Sequence, residues 1–220
     1  CNKYVFNQMN NPYSINTTIL SNKIHKCLLI KLLIIYFMTV EKIDLEYLTW
    51  RKLYEAVIEL ACRIKKENYK PDMIVAVLKG GLIPARLLMD LLSINEIGFI
   101  GVKFYKGIVK HDVKPELTLP PIPSVNNKKI LVVDDVVETG RTIQLVIDEL
   151  FRYGAREVKT LTLYVKKWSP ILPDYYYKVS DKWIVFPWEI VETVKNNVDL
   201  GSIVEEDVNL YKLIKNRLLT

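Results

Sequence analysis

The residues with the clearest chemical content form one run, Ile130-Leu131-Val132-Val133-Asp134-Asp135-Val136-Val137-Glu138-Thr139-Gly140-Arg141-Thr142. An apolar stretch ends in two adjacent carboxylates, Asp134 and Asp135. A third, Glu138, comes four residues after Asp134. Thr139, Gly140, Arg141 and Thr142 then open a helical pattern that continues from Ile143 to Leu150. A helix N-terminus carries unpartnered N–H groups and partial positive charge, and a phosphate satisfies both. Gly140 lets the main chain come close to such an anion, and the hydroxyls of Thr139 and Thr142 add donors. Asp134 and Asp135 would repel a bare phosphate. They make sense as acceptors for sugar hydroxyls, or as an anchor for Mg²⁺, a hard cation that prefers oxygen and bridges carboxylates and phosphates. The turn asks for a ribose phosphate. The alternative is an ordinary strand-to-helix turn with a threonine cap.

A second junction, Val77-Leu78-Lys79-Gly80-Gly81-Leu82, repeats part of this logic. Its two glycines free the backbone to present N–H groups, and Lys79 supplies positive charge. Alone, Lys79-Gly80-Gly81 is as readily a plain turn. Beside the first motif it becomes a second anion site.

These turns need elements to hold them. Thr49 is placed to cap a helix running to about Asn68, with Leu53, Val57, Leu60 and Ile64 at helical spacing. Met73 to Leu78 reads as a buried strand, Leu82 to Ser93 as a helix and Phe99 to Tyr105 as a strand. Residues 106 to 127, with Pro115, Pro120, Pro121 and Pro123, read as one long loop, and the stretch 107 to 125 as a lid. Strand 130 to 134, helix 142 to 153 and strand Val158 to Val165 come next. Alternating strands and helices with continuous apolar strand runs predict an α/β fold with a mostly parallel sheet covered on both faces. In such sheets ligands sit at the carboxyl ends of the strands, where both turns fall. The tail from Ile203 to Leu218 has the spacing of an amphipathic helix.

Composition bounds the rest. The chain has 220 residues, half of them apolar, enough for one domain with a sizeable core. A net charge of +6 suits polyanionic substrates. No basic block with interleaved aromatics offers a nucleic-acid platform. Cys1, Cys27 and Cys62 form no metal-ligand spacing. Cys62 is expected as a small buried residue of the first helix, and a reducing cytoplasm fits. Residues 1–37 differ in character from the remainder of the chain: an Asn-rich opening, then an apolar run from Cys27 to Met38 broken by Lys31. That run is shorter than the roughly 20 apolar residues a membrane helix needs. The expectation is a disordered or non-native extension before a domain over 38–190 and a helical tail over 191–220, with a membrane-surface anchor as the alternative for the extension.

The strand–Asp134-Asp135–Thr139-Gly140-Arg141-Thr142–helix pattern resembles the phosphoribosyl diphosphate (PRPP) loop of type I phosphoribosyltransferases. The resemblance covers roughly residues 47 to 189 and is closest to archaeal purine and xanthine–guanine (6-oxopurine) enzymes, which share the short Lys103-Phe104-Tyr105-Lys106-Gly107 stretch. It implies that Asp134 and Asp135 hold the ribose hydroxyls and Mg²⁺, directly or through water. Residues 138 to 142 would grip the 5′-phosphate. Lys79-Gly80-Gly81 would form the pyrophosphate loop, in which the peptide before the basic residue is often cis. Trp183-Ile184-Val185-Phe186-Pro187-Trp188-Glu189 resembles the base-recognition segment of a small hood over about 166–190. Trp183 is then the ring that stacks on the purine, Ile184 a backbone contact and Glu189 the acidic group near C2. Lys166 matches the donor to the 6-oxo group. Each has a plain reading as well: Trp183 as a core aromatic, Lys166 as a solvated lysine beside Lys167. Glu138 departs from the aspartate usual in this family near N7 of the base. It either relays that proton or is a solvated loop carboxylate.

The function this implies is transfer of the 5-phosphoribosyl group from PRPP to guanine, hypoxanthine or xanthine, in purine salvage, by a cytoplasmic homodimer or higher homo-oligomer without nucleic-acid or membrane partners. The rivals are a PRPP-sensing regulator on the same fold and an adenine phosphoribosyltransferase.

Overall fold

The central strands are apolar on both faces, and both faces are buried. The computed structural model describes residues 44–106 and 113–195, with Leu213 and Asn216 of the tail. The chain divides after Ile43 into two units, and the first lies outside the described residues. So do Cys1, Cys27, the apolar run to Met38 and most of the tail. No described helix is long and apolar enough to cross a membrane.

In chain order the strands are β1 (Leu45–Tyr47), β2 (Met73–Leu78), β3 (Ile97–Lys106), β4 (Val113–Ile122), β5 (Lys129–Val137), β6 (Glu157–Lys166), β7 (Tyr175–Ser180) and β8 (Trp183–Val185). The helices are α1 (Trp50–Lys66), α2 (Leu82–Leu92), α3 (Arg141–Arg152) and the short α4 (Ile190–Lys195). Six strands form one sheet in the order β4-β3-β2-β5-β6-β7, parallel except for the antiparallel β3–β4 pair. β1 and β8 form a separate parallel pair.

Alternation divides the core. Ile74 and Ala76 of β2 and Leu131 and Val133 of β5 face α1 and α2. Met73, Val75, Val77, Ile130 and Val132 face the other way, against Ile143, Val146 and Leu150 of α3. Thr49 Oγ1 accepts the N–H of Lys52 (3.2 Å), which caps α1 as its sequence predicts. The chain runs outward from β2 to β3 and β4, then returns to the other side of β2 for β5, β6 and β7. The strand order therefore reverses between β2 and β5, and their carboxyl ends flank the crevice of that switch point.

Two expectations need correction. The loop expected over 106–127 is largely strand β4. Pro115, Pro120 and Pro121 sit on the outermost strand of the sheet, where one row of N–H groups needs no ladder partner. From Lys114 to Pro120 exposure alternates residue by residue, the period of a strand. Of the expected lid, 107–112 and with them His111 lie outside the described residues. Cys62, expected to be buried, is exposed. Leu60, Ala61 and Ile64 take the inner face of α1, and a turn of about 100° per residue carries Cys62 off it.

Candidate active site

The two turns singled out by sequence meet. A cleft of about 480 Å³ is lined by Leu78 and Gly80 from the end of β2 and by Asp134, Asp135 and residues 138–142 from the end of β5. A Cβ on Gly80 would lie on the Asp135 carboxylate, with Oδ1 at 2.7 Å. A Cβ on Gly81 would strike the carbonyl oxygen of Val133, with Val77 N at 2.9 Å. Only glycine allows the tip of β2 to press so closely on β5. The Leu78–Lys79 peptide is cis. Lys79 itself is exposed and is not among the residues that line the cleft.

The β5 turn is built for anions at one end and for donors or cations at the other. Gly140 caps α3 with φ +74°, in the left-handed region that favours glycine, and no side chain caps this helix end. The Asp135 N–H donates to Asp134 Oδ1 (2.9 Å) and the Val136 N–H to Asp135 Oδ1 (2.7 Å). Asp134 is 8% exposed. Burial, and then the charge of its neighbour, push the Asp134 carboxyl well above the usual range; burial also raises Asp135. This is an electrostatically costly pair that ligand donors or a cation would relieve. Glu138 and Thr139 are exposed along the same wall.

A second group adjoins this cleft. The β5–β6 register pairs Val137 with Val165, so Lys166 comes level with Glu138. Lys166 is 7% exposed, whereas Lys167 points to solvent. The Lys166 ammonium donates to the carbonyl of Lys182 and lies 5.3 Å from the ring centre of Trp168. Burial lowers its pKa, opposed by the charge of Glu138. Trp183 is 60% exposed, which removes its reading as a core aromatic, while Ile184 is buried. The Glu189 carboxyl is pushed up to about 7, first by burial and then by the charge of Asp135. Glu189 and Lys166 thus feel the charges of the β5 turn, although neither lines the 480 Å³ cleft.

Sequence reading missed several neighbours. Val102 and Phe104 of β3 line the cleft, and Trp168 lies against Lys166. Trp168 carried a local signal, as an aromatic two residues past a candidate ligand lysine, and Phe104 lies in the Lys103–Gly107 stretch named above.

The comparisons agree with this geometry. The phosphoribosyl transferase domain family matches residues 45–192. A xanthine-guanine phosphoribosyltransferase of Idiomarina loihiensis is 31% identical over 150 residues, covering 66% of this chain and 86% of its own. The bifunctional protein PyrR of Ralstonia nicotianae is 34% identical over 149 residues, covering 63% and 80%. A crystal structure of purine phosphoribosyltransferase from Pyrococcus horikoshii is 43% identical, covers 66% of this chain and 94% of that one, and superposes with a TM-score of 0.59. With a family match across most of the described residues and a sheet of mostly parallel strands flanked by helices, this chain belongs to the phosphoribosyl transferase domain family.

Proposed function

We propose that the chain transfers the 5-phosphoribosyl group of PRPP to N9 of a 6-oxopurine and releases pyrophosphate, a purine salvage reaction. The observation that carries this is the close approach of Gly80 to Asp135, which brings the tips of β2 and β5 into one cleft. The relatives named as xanthine-guanine and purine phosphoribosyltransferases support the substrate class. In this reading the 5′-phosphate sits on residues 139–142 and the diphosphate on Lys79, Gly80 and Gly81. Asp134 and Asp135 accept from the ribose hydroxyls.

Transfer breaks the C1′–O bond, whose electron pair leaves with pyrophosphate, while the N9 lone pair bonds to C1′. Positive charge develops on the ribose beside two carboxylates, and negative charge develops on the diphosphate beside Lys79 and the backbone N–H groups of its loop. Glu138 accepts the proton the purine loses, within the reach its exposed position on the cleft wall allows.

The donor set fits Mg²⁺. Asp134 and Asp135 supply hard oxygens, and among the described residues no group of three or more His, Cys, Asp or Glu forms a cage. Two carboxylates completed by substrate oxygens is the arrangement Mg²⁺ commonly takes. Bound there, the ion would neutralise charge on the leaving diphosphate.

The base is read by the second group. Trp183 offers an exposed face for stacking. Ile184 lends its backbone. Lys166 keeps two of its three donors beyond the bond to Lys182, one of them for the 6-oxo oxygen. The 6-amino group of adenine would instead oppose donor to donor, so adenine is expected to be rejected by about a hundredfold or more in kcat/KM. Assays with PRPP, Mg²⁺ and each of guanine, hypoxanthine, xanthine, adenine, uracil and orotate test this. Turnover of an oxopurine with release of pyrophosphate supports the assignment. Its absence with every oxopurine defeats it.

Glu189 adds a pH dependence. Its carboxyl is pushed up to about 7, and the ionised form accepts from the 2-amino group of guanine more strongly than the neutral acid does. The ratio of kcat/KM for guanine over hypoxanthine is expected to rise severalfold as pH increases through about 7, because hypoxanthine has no group at C2. Glu189→Gln should flatten that ratio; a ratio equally pH-dependent in the variant removes Glu189 from base recognition.

A further inference from the structure

Strands distant in sequence meet at one carboxylate, that of Glu46 on β1. It accepts from Lys178 Nζ (2.6 Å) and Ser180 Oγ (2.8 Å) of β7, and from Tyr164 Oη of β6 (3.1 Å). β1 itself belongs to β8: Leu45 pairs with Trp183 and Glu46 with Ile184. The Trp183 N–H donates to the Asp44 carbonyl (2.8 Å), and the Leu48 N–H donates to that of Val185 (3.0 Å). The strand pair that carries Trp183 and Ile184 therefore stands apart from the six-stranded sheet that carries Lys166.

The direct chain link between them is short. Only Asp181 and Lys182 connect β7 to β8, and a two-residue link permits β8 to pivot about Ser180. Ser180 is the register partner of Lys166, and its hydroxyl accepts the N–H of Lys182, whose carbonyl receives the Lys166 ammonium. Glu46, on the strand paired with β8, closes this circuit at Ser180. Edge-to-face packing of Phe186 on Tyr164, with ring centres 6.0 Å apart, adds an apolar contact, but such a contact is less directional than a carboxylate holding three donors. Burial alone would raise the Glu46 carboxyl. Lys178, Ser180 and Tyr164 outweigh it and hold the group below its usual range.

We infer that Glu46 is a positioning residue for base recognition: through β1 it fixes the Trp183–Ile184 strand relative to the Lys166 ammonium and so sets the slot in which a 6-oxopurine is read. Glu46 touches no reacting atom. Its effect falls on the base and not on PRPP, since the ribose and diphosphate turns hang on β2 and β5, whereas the Glu46 carboxylate bonds to β6 and β7. The inference rests on the function proposed above.

Glu46→Ala and Glu46→Gln test it. Losing three bonds to a charged acceptor is expected to raise the KM of the purine about tenfold or more in Glu46→Ala, with the KM of PRPP changed less than about twofold. Glu46→Gln should fall between, since its amide oxygen still accepts from a hydroxyl while the Lys178 ion pair is gone. Amide hydrogen exchange supplies a readout that needs no substrate. The Trp183 and Leu48 amides of Glu46→Ala should exchange about tenfold faster, with Val75 and Val132 unchanged. An unchanged purine KM, a joint rise of both KM values, or faster exchange spread to β2 and β5 would overturn the inference. A wild-type chain inactive on every oxopurine would defeat the functional reading separately, and the exchange data would still decide whether Glu46 holds β8.

Discussion

Gly81→Ala is expected to cripple folding, whereas Gly80→Ala, one residue away, is expected to spare the fold and lose activity. The new Cβ of Gly81→Ala would meet the Val133 carbonyl and the Val77 nitrogen, both main-chain atoms of central strands. Neither can swing aside, so β2 and β5 must part at the core of the sheet. Such overpacking against backbone costs about 3 kcal/mol, a fall in melting temperature of roughly 6–12 °C for a domain of this size. The atoms nearest the Cβ of Gly80→Ala would all belong to the Asp135 side chain. That carboxylate can turn, but turning breaks the bond from the Val136 N–H and takes its oxygens from the cleft. Thermal unfolding and steady-state kinetics on the pair check this. Equal melting temperatures for Gly81→Ala and wild type would show that the close approach of the two strands is not obligatory.

The double substitution Asp134→Asn, Asp135→Asn is expected to move stability and activity in opposite directions. Both carboxyls have folded-state pKa values above their ordinary value. A group raised in this way contributes stability at pH below its unfolded pKa, about 3.9, and loses that contribution as pH rises through the folded value. At pH 7 the ionised pair therefore works against the fold, and the amide pair does not. Without Mg²⁺ or substrate, the variant should melt higher than wild type at pH 7 to 8 and show little gain near pH 4. Activity should fall by roughly a hundred- to ten-thousandfold in kcat/KM, the loss of two charge-assisted contacts to ribose at about 1.5–3 kcal/mol each. A variant that transfers phosphoribose at the wild-type rate would remove both residues from the site, and one that still performed the chain's biological role without turnover would favour a PRPP sensor.

What could be read from sequence was whatever is written locally. The strand–carboxylate–Thr-Gly-Arg-Thr–helix run and the Lys-Gly-Gly turn each carry their chemistry within a few residues, and the apolar runs of β2 and β5 have no use other than a sheet buried on both faces. What could not be read depends on partners far along the chain. β4 was hidden because prolines argue against a strand until its place at the edge of the sheet is known. β1 is three residues long and exists by virtue of β8, more than 130 positions later. Lys166 and Lys167 are indistinguishable as letters; the pleat turns one inward and the other to solvent. Glu46 has no motif at all, because its three donors come from β6 and β7.

The function proposed for this chain stands on two neighbouring strand tips that form matched pockets for a sugar phosphate and its departing diphosphate. A crystal structure with PRPP and Mg²⁺ is the decisive measurement. The 5′-phosphate should lie against the N–H groups of residues 139–142, the ribose hydroxyls on Asp134 and Asp135, and the diphosphate along Lys79, Gly80 and Gly81. PRPP bound elsewhere, for example in the cavity lined by Lys65, Lys70 and Glu96 at the opposite end of the sheet, with this cleft bypassed, would refute it.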